Sequence, residues 1–330
     1  MVTVRVEMQA ALRWALRAGL GAILLPAGAA LAQSYPVKPI RVIVPYAPGG
    51  STDVVLRLLA PRMSETLGQQ VIVENRPGAA SIVGLDIVAK SPPDGYTVGI
   101  SNIAYGANPA LRKMPFDSEK DLVPVSLISI VTMVLSVHPS VPSRSVKQLI
   151  ALAKSKPGSL NYGSAGQGSA NHLAMERFKQ LAGINVVHIP YQGGGPAVIS
   201  IVSGETALLF ATIPSAIQHF KSGRLVPLGV SRAQRNVALP DVPTIAEAAI
   251  PGYEAIEWNG AMVPAGTPAA VITRLHQAIV KAVANPEVKE RVTALGADLA
   301  GSSPEEFAAF VRKELATWSK VVKEVGIRVE

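Results

Sequence analysis

Short β-rich runs alternate with longer helical patterns from residue 40 onward, and this alternation constrains the fold more than any other feature of the sequence. Strand patterns fall over 40–46, 71–75, 96–101, 122–137, 160–163, 186–190, 207–211, 225–231 and 253–263. Helical patterns fall over 52–67, 80–89, 146–155, 169–181, 195–203, 213–222, 269–283, 287–295 and 304–325. Strands that take turns with helices in this way imply βαβ units, parallel sheets and a doubly wound α/β class.

Two stretches break the rhythm. Residues 123–138 are too long for one strand of about five or six residues, so they read as an extended passage that leaves one sheet and enters another. Leu225-Val226-Pro227-Leu228-Gly229-Val230 is the expected return path, after which three C-terminal helices pack back on the first lobe. A length of 330 residues favours two domains over one. The expected layout is a leader over 1–32, one lobe from 33–130 with 229–330, and a second lobe from 131–228. A chain that crosses twice between α/β lobes makes a clamshell, with strand C-terminal ends and helix N-termini facing the cleft.

The leader has three parts. Arg5, Arg13 and Arg17 give a basic start, an apolar run covers 18–31, and Ala30-Leu31-Ala32 supplies small residues where a signal peptidase reads them. A membrane anchor would need about 20 apolar residues, and this run is shorter and broken by Pro26. The expectation is Sec export, cleavage near Ala32/Gln33 and a protein that is soluble in the periplasm. The sequence contains no cysteine, which removes a lipidated leader, disulfides, thiolate nucleophiles and Cys-ligated metals. The net charge of +8 raises the question of nucleic acid. However, Lys154, Lys179, Arg224, Arg235 and the other basic residues are scattered and not interleaved with aromatics. A basic solvated surface with mild attraction for small anions, and no nucleic-acid partner, is the simpler reading.

Three loops rich in glycine or helix-capping residues precede helical patterns. They are Pro45-Tyr46-Ala47-Pro48-Gly49-Gly50-Ser51-Thr52-Asp53, then residues 162–172 (Gly163, Ser164, Ala165, Gly166, Gly168, Ser169, His172), then Tyr191-Gln192-Gly193-Gly194-Gly195. Each places unpaired backbone N–H donors and the positive end of a helix dipole at a strand end. Gly49 and Gly50 let a ligand oxygen approach the main chain, Ser51 or Thr52 can cap the helix, and Asp53 suits its first turn. Any one of these loops alone is an ordinary strand-to-helix turn; three of them, drawn from both expected lobes, point to a shared site. None carries Lys or Arg, which suits a carboxylate better than a polyphosphate. The phosphate-loop lysine and the dinucleotide G-x-G-x-x-G spacing are both missing.

Catalysis finds little support. No G-x-S-x-G surrounds Ser164 or Ser169, the five histidines are dispersed, and H-E-x-x-H does not occur. His172 lies three residues after Ser169 and can share its helix face, but a histidine that orients a loop or a ligand is the plainer reading. No metal and no cofactor are expected.

The residues then become familiar as a set. "YPVKPIRVIVPYAPGGSTDVVLR" over 35–57, "VIVENRPGA" over 71–79, "PPDGYTV" over 92–98, "ALAKSKPGSLNYGSAGQGSANHLAMERFK" over 151–179, "HIPYQGGGPA" over 188–197 and "PAGTP" over 264–268 occur in one order. Together they resemble the substrate-binding receptors of tripartite tricarboxylate transporters, the Bug receptors, across essentially all of the mature length. The resemblance implies a type II periplasmic binding fold: two α/β lobes joined by hinge strands, closing as a monomer on a small organic carboxylate that it delivers to membrane transporter subunits, without catalysis. It implies that residues 47–53 and the 164–169 loop with His172 grip carboxylate groups, partly through ordered water. Ser101, Asn102 and residues after Phe210, including Ala211, would line the remaining cleft, with Tyr191, Gly193 and Gly194 near its opposite edge. Many family members have Phe-Asp-Asn where this chain has Phe210-Ala211-Thr212; losing that acidic acceptor favours a plain organic acid over an amino acid. Two rivals stay open: an exported α/β enzyme acting on a small carboxylate, and a periplasmic sensor for a signalling partner.

Overall fold

The computed structural model describes residues 35–325, and the leader expected over 1–32 lies outside them. From Lys38 onward the chain is one compact unit that holds two sheets.

The first sheet starts from β1 (Ile40–Val44), whose apolar residues are buried on both faces because helices cover it on both sides. β1 pairs in parallel with β2 (Val71–Asn75) and β3 (Thr97–Ser101), in the register Ile40↔Val71 and Val42↔Val98. Helix α1 (Ser51–Leu67) connects β1 to β2, and α2 (Ile82–Ala89) connects β2 to β3. The C-cap of α1 is Gly68 at φ +71°, a conformation that costs other residues more than glycine. After β3 comes α3 (Ile103–Leu111), which the sequence pattern does not show: Gly106 and Pro109 disguise it. Gly106 is needed for a close approach, since a Cβ there would lie 3.3 Å from the Glu314 backbone.

β4 (Leu122–Val131) belongs to this sheet and β5 (Met133–Val137) to the other, with only Thr132 between them. The second sheet continues through β6 (Asn161–Ser164), β7 (Val187–Pro190), β8 (Leu208–Thr212) and β9 (Val226–Val230). Helices α4 (Val146–Ser155), α5 (Ala170–Ala182), α6 (Gly194–Val202) and α7 (Ile213–Lys221) join these strands. The chain returns through the short α8 (Ile245–Ala248) and β10 (Glu257–Pro264). It ends with α9 (Ala269–Ala284), α10 (Pro286–Ala294), β11 (Ala297–Leu299) and α11 (Pro304–Val325). The sheet orders are β11-β4-β10-β3-β1-β2 and β7-β6-β8-β5-β9.

The expectation of parallel sheets needs correction. β10 runs antiparallel to both β3 and β4, β11 is antiparallel to β4, and β5 is antiparallel to β8 and β9. A strand that enters a sheet directly from the other sheet has no crossover helix to reverse it, so it runs against its neighbours. The two passages are bonded side by side. Ser231 N–H donates to Met133 O, Met133 N–H donates to Ser231 Oγ, and the Ser231 hydroxyl donates to Ala255 O.

Each sheet has its own aromatic packing. Trp258 is fully buried against Phe307 and Phe310 of α11, and a Cβ at Gly260 would fall 2.0 Å from the Phe307 ring. Phe178, Phe210 and Tyr253 pack at 6.0 Å centroid spacing in the second. Each such ring contributes roughly 2–3 kcal/mol by burial, and α11 thereby holds to the first sheet.

Candidate functional site

The site follows from where strands end. β1, β3, β6 and β8 stop at the same edge of their sheets, and each hands the chain to a helix; the loop after β7 does the same. Five helix N-termini therefore converge on one small cavity: Gly50-Ser51-Thr52 of α1, Asn102 of α3, Ser169-Ala170-Asn171 of α5, Gly194 of α6 and Thr212 of α7. Tyr46, Ala165 and Glu257 complete its wall. Its volume is about 20 Å³, room for a single water-sized group.

No Lys or Arg lines this cavity, so attraction for an anion rests on its helix N-termini. A helix N-terminus leaves N–H groups unpaired and carries roughly half a positive charge. Among the five helices only α3 is capped by a side chain, with Asn102 Oδ1 accepting from Ala104 N–H at 3.1 Å; α1, α5, α6 and α7 have no side-chain cap. The Ser169 hydroxyl at the head of α5 is buried with no hydrogen-bond partner. Buried hydroxyls almost always have one, so this oxygen is free to meet a guest.

The hydroxyls of α1 are already engaged. Ser51 donates to Glu257 Oε1 at 2.9 Å, and Thr52 donates to Asn259 Oδ1 at 2.7 Å, which fixes the first turn of α1 onto β10. Burial pushes the Glu257 carboxyl up to about 7, opposed in part by the Ser51 hydroxyl. Burial also drives the Tyr46 phenol well above its ordinary value, and its hydroxyl donates to Asn102 Oδ1 at 3.3 Å.

The residues expected from the sequence divide into groups. Tyr46, Gly50, Ser51, Thr52, Asn102, Ala165, Ser169 and Gly194 line the cavity. Gly166 and Tyr191 line an adjoining pocket. Asp53 faces its own loop: burial raises its carboxyl, but hydrogen bonds from Arg57, Gly49 N–H and Asn75 win and hold it below the usual range. Ser101 donates to Gly260 O within the sheet. The Ser164 Oγ sits 2.6 Å from His188 Nε2 and accepts from Gly166 N–H, so its polar atom serves the loop. His172 Nδ1 accepts from Gly168 N–H, and its ring packs on His188 at 4.3 Å. Burial, then nearby Lys179 and Arg112, lowers His172 to about 4; burial, then His172, lowers His188 to about 3. Both imidazoles are thus held neutral near pH 7. Ala47, Gly49 and Gly193 lie at a seam: Ala47 N–H donates to Gln192 O at 3.0 Å, and a Cβ at Gly193 would press on Ala47 N at 2.8 Å. Ala211 packs in the apolar core of the second sheet.

Within the expected 162–172 loop and the residues after Phe210, sequence reasoning did not single out Ala170, Asn171 or Thr212, and it missed Glu257 altogether. The strand pattern 253–263 carries two carboxylates, Glu254 and Glu257. Only the second sits beside the bulky Trp258 on a strand that is apolar beyond it, which is a weak local signal for a buried acid. Thr212 follows from strand alternation, because its neighbour Ala211 points into the core. Among the described residues, no group of three or more His, Asp or Glu could hold a metal, and no helix is long and apolar enough to cross a membrane.

The chain is similar to proteins of known family and structure. Rpa4515 of R. palustris, solved with adipate, superposes with a TM-score of 0.86 at 35% identity, covering 89% of this chain and 99% of that one. MatC from Rhodopseudomonas palustris, solved with bound malate, gives 0.84 at 31% identity over 87% and 100% of the two chains. BugT of Bordetella pertussis is 36% identical over 322 residues, 96% of this chain and 98% of its own. The fold is that of the two-lobed periplasmic binding proteins. The family model described as "Tripartite tricarboxylate transporter family receptor" matches residues 55–327, and the chain belongs to that family.

Proposed function

We propose that this protein is exported to the periplasm, where it captures a small organic carboxylate between its lobes, without chemistry, and delivers it to a tripartite tricarboxylate-type membrane transporter. The lobes run over 33–130 with 229–330 and over 131–228, and the working form is a monomer. The observation that carries the reading is the convergence of five helix N-termini, four of them without a side-chain cap, on one cavity that holds a buried hydroxyl without a partner. Such an array replaces the hydration of a carboxylate with fixed N–H and O–H donors. Relatives solved with adipate and malate support the ligand class. The close Ser164–His188 contact does not favour an enzyme, since neither residue lines the cavity.

A thermal-shift screen of carboxylates, with their amides as controls, tests the reading. A ligand at 100 times its dissociation constant stabilises the folded state by about 2.7 kcal/mol, which moves Tm by a few degrees. Stabilisation by an acid but not its amide, with the compound recovered intact, is the expected result. No response to any carboxylate, or consumption of the compound, overturns it.

A further inference from the structure

The cavity among the helix N-termini holds about 20 Å³, so the rest of any organic acid has to extend elsewhere. A pocket of about 240 Å³ adjoins it and shares Tyr46 and Ala165 as walls. Its other walls are uncharged, with short residues at Gly78, Ala79 and Ala80 before α2, at Gly166 and at Pro190 ending β7, and longer polar ones at Gln167, Tyr191 and Gln192; the exception is one cation, Arg112 at the C-cap of α3.

Arg112 lacks an anionic partner. Its Nη2 donates to the Gln167 carbonyl at 3.0 Å, its buried Nε has no acceptor, and no acidic side chain among the described residues lies within 4.0 Å of the guanidinium. Burial lowers its proton affinity from the ordinary value, but a guanidinium stays charged in proteins. A half-buried, uncompensated cation next to an anion cavity is costly unless a guest supplies the counter-charge. The backbone of the opposite wall is held by the same helix, since Asn108 Nδ2 of α3 donates to Ala80 O at 2.8 Å. Pocket wall and cation therefore move together.

We propose that this pocket is a second anion subsite, in which Arg112 takes the far carboxylate of a dicarboxylate whose near carboxylate lies among the helix N-termini. The inference rests on the receptor reading above and narrows it from carboxylates to dicarboxylates. The guanidinium fork matches a carboxylate in plane, and the Gly, Ala and Pro walls suit an uncharged linker between the two acid groups.

Isothermal titration of the purified protein with straight-chain dicarboxylates from succinate to suberate, each beside the monocarboxylate of equal carbon count, tests this. The wild-type protein is expected to bind at least one dicarboxylate tighter than its monocarboxylate partner by roughly 10- to 100-fold. Arg112→Gln should erase most of that preference while leaving the monocarboxylate within about twofold; Arg112→Lys should restore part of it. A disturbed loop, by contrast, would weaken both acids together. Equal wild-type affinity for both members of every pair, or equal weakening of both by Arg112→Gln, overturns the subsite and leaves the carboxylate receptor standing. If no acid in the series binds, the subsite for a straight-chain dicarboxylate is overturned, and the receptor reading stands or falls on the wider carboxylate screen above.

Discussion

Glu257 is the least expected residue of the cavity, an acid placed where an acid is to be bound. The residue is only 5% exposed, and no charged side chain offsets its burial; the Ser51 hydroxyl donates to it. With a folded-state value of about 7 against an ordinary 4.5, the folded protein holds a proton that the unfolded chain has released. Its contribution is fully present below about pH 4.5 and is lost as pH rises through about 7; the difference is on the order of 3 kcal/mol. His172 and His188 work in the opposite sense, since burial keeps them neutral while the unfolded chain gains protons below its ordinary histidine value. Comparing the wild type with Glu257→Gln removes the histidines from the balance, and glutamine can still accept from Ser51. Urea denaturation at several pH values should show the Gln variant gaining on the wild type between about pH 5 and 7 and holding a constant lead above. A lead independent of pH would mean that Glu257 titrates normally.

At the scale of elements, the N-terminus of α5 separates holding the fold from holding a ligand. A serine before a helix ordinarily caps it, and its replacement by alanine costs about 1 kcal/mol. Ser169 makes no such bond, and its buried hydroxyl is unpartnered. Ser169→Ala should therefore leave stability within about 0.5 kcal/mol, or raise it slightly, because a dehydrated hydroxyl is removed. Carboxylate affinity should fall by roughly tenfold in the same variant. A clear loss of stability with unchanged affinity would show Ser169 to be an ordinary cap.

Elements also show which parts of this molecule were legible in the sequence. The three loops were visible because glycine and capping residues between a strand and a helix form a local signal, and Gly50, Ser51, Thr52 and Ser169 do face the cavity. The passage from β4 to β5 was visible because its apolar run exceeds one strand's length. What stayed hidden was set by partners distant in sequence. Ser164 bonds to His188, and Asp53 to Arg57 and Asn75, partners that no local pattern names. Glu257 reaches the cavity from 206 residues beyond Ser51, and α3 keeps its helix despite Gly106 and Pro109 because it packs on α11. Local pattern locates loops and lengths; it does not say which side chain crosses to which neighbour.

The whole molecule is organised around a seam of glycines that allows the lobes to touch. A Cβ at Gly194 would lie 3.4 Å from Gly50 Cα, and one at Gly195 would lie 2.3 Å from the Pro48 carbonyl oxygen, so bare backbone meets bare backbone. The two passages between the sheets are tied together by the Met133–Ser231–Ala255 bonding described above. On the proposed receptor reading, closure at this seam is what brings the N-termini of α1 and α6 to one cavity, and ligand affinity and lobe closure are then linked. Gly195 is the sharpest place to test that link, because its backbone is helical and its φ is not in the left-handed region. Alanine there should strengthen α6 itself by up to about 1 kcal/mol, while its methyl group meets Pro48 only when the lobes close. The expected result for Gly195→Ala is an unchanged or raised Tm without ligand, together with carboxylate affinity reduced by more than roughly tenfold. Small-angle X-ray scattering should then show no ligand-induced compaction at concentrations that compact the wild type. Compaction equal to the wild type's at those concentrations would place the closing contact elsewhere.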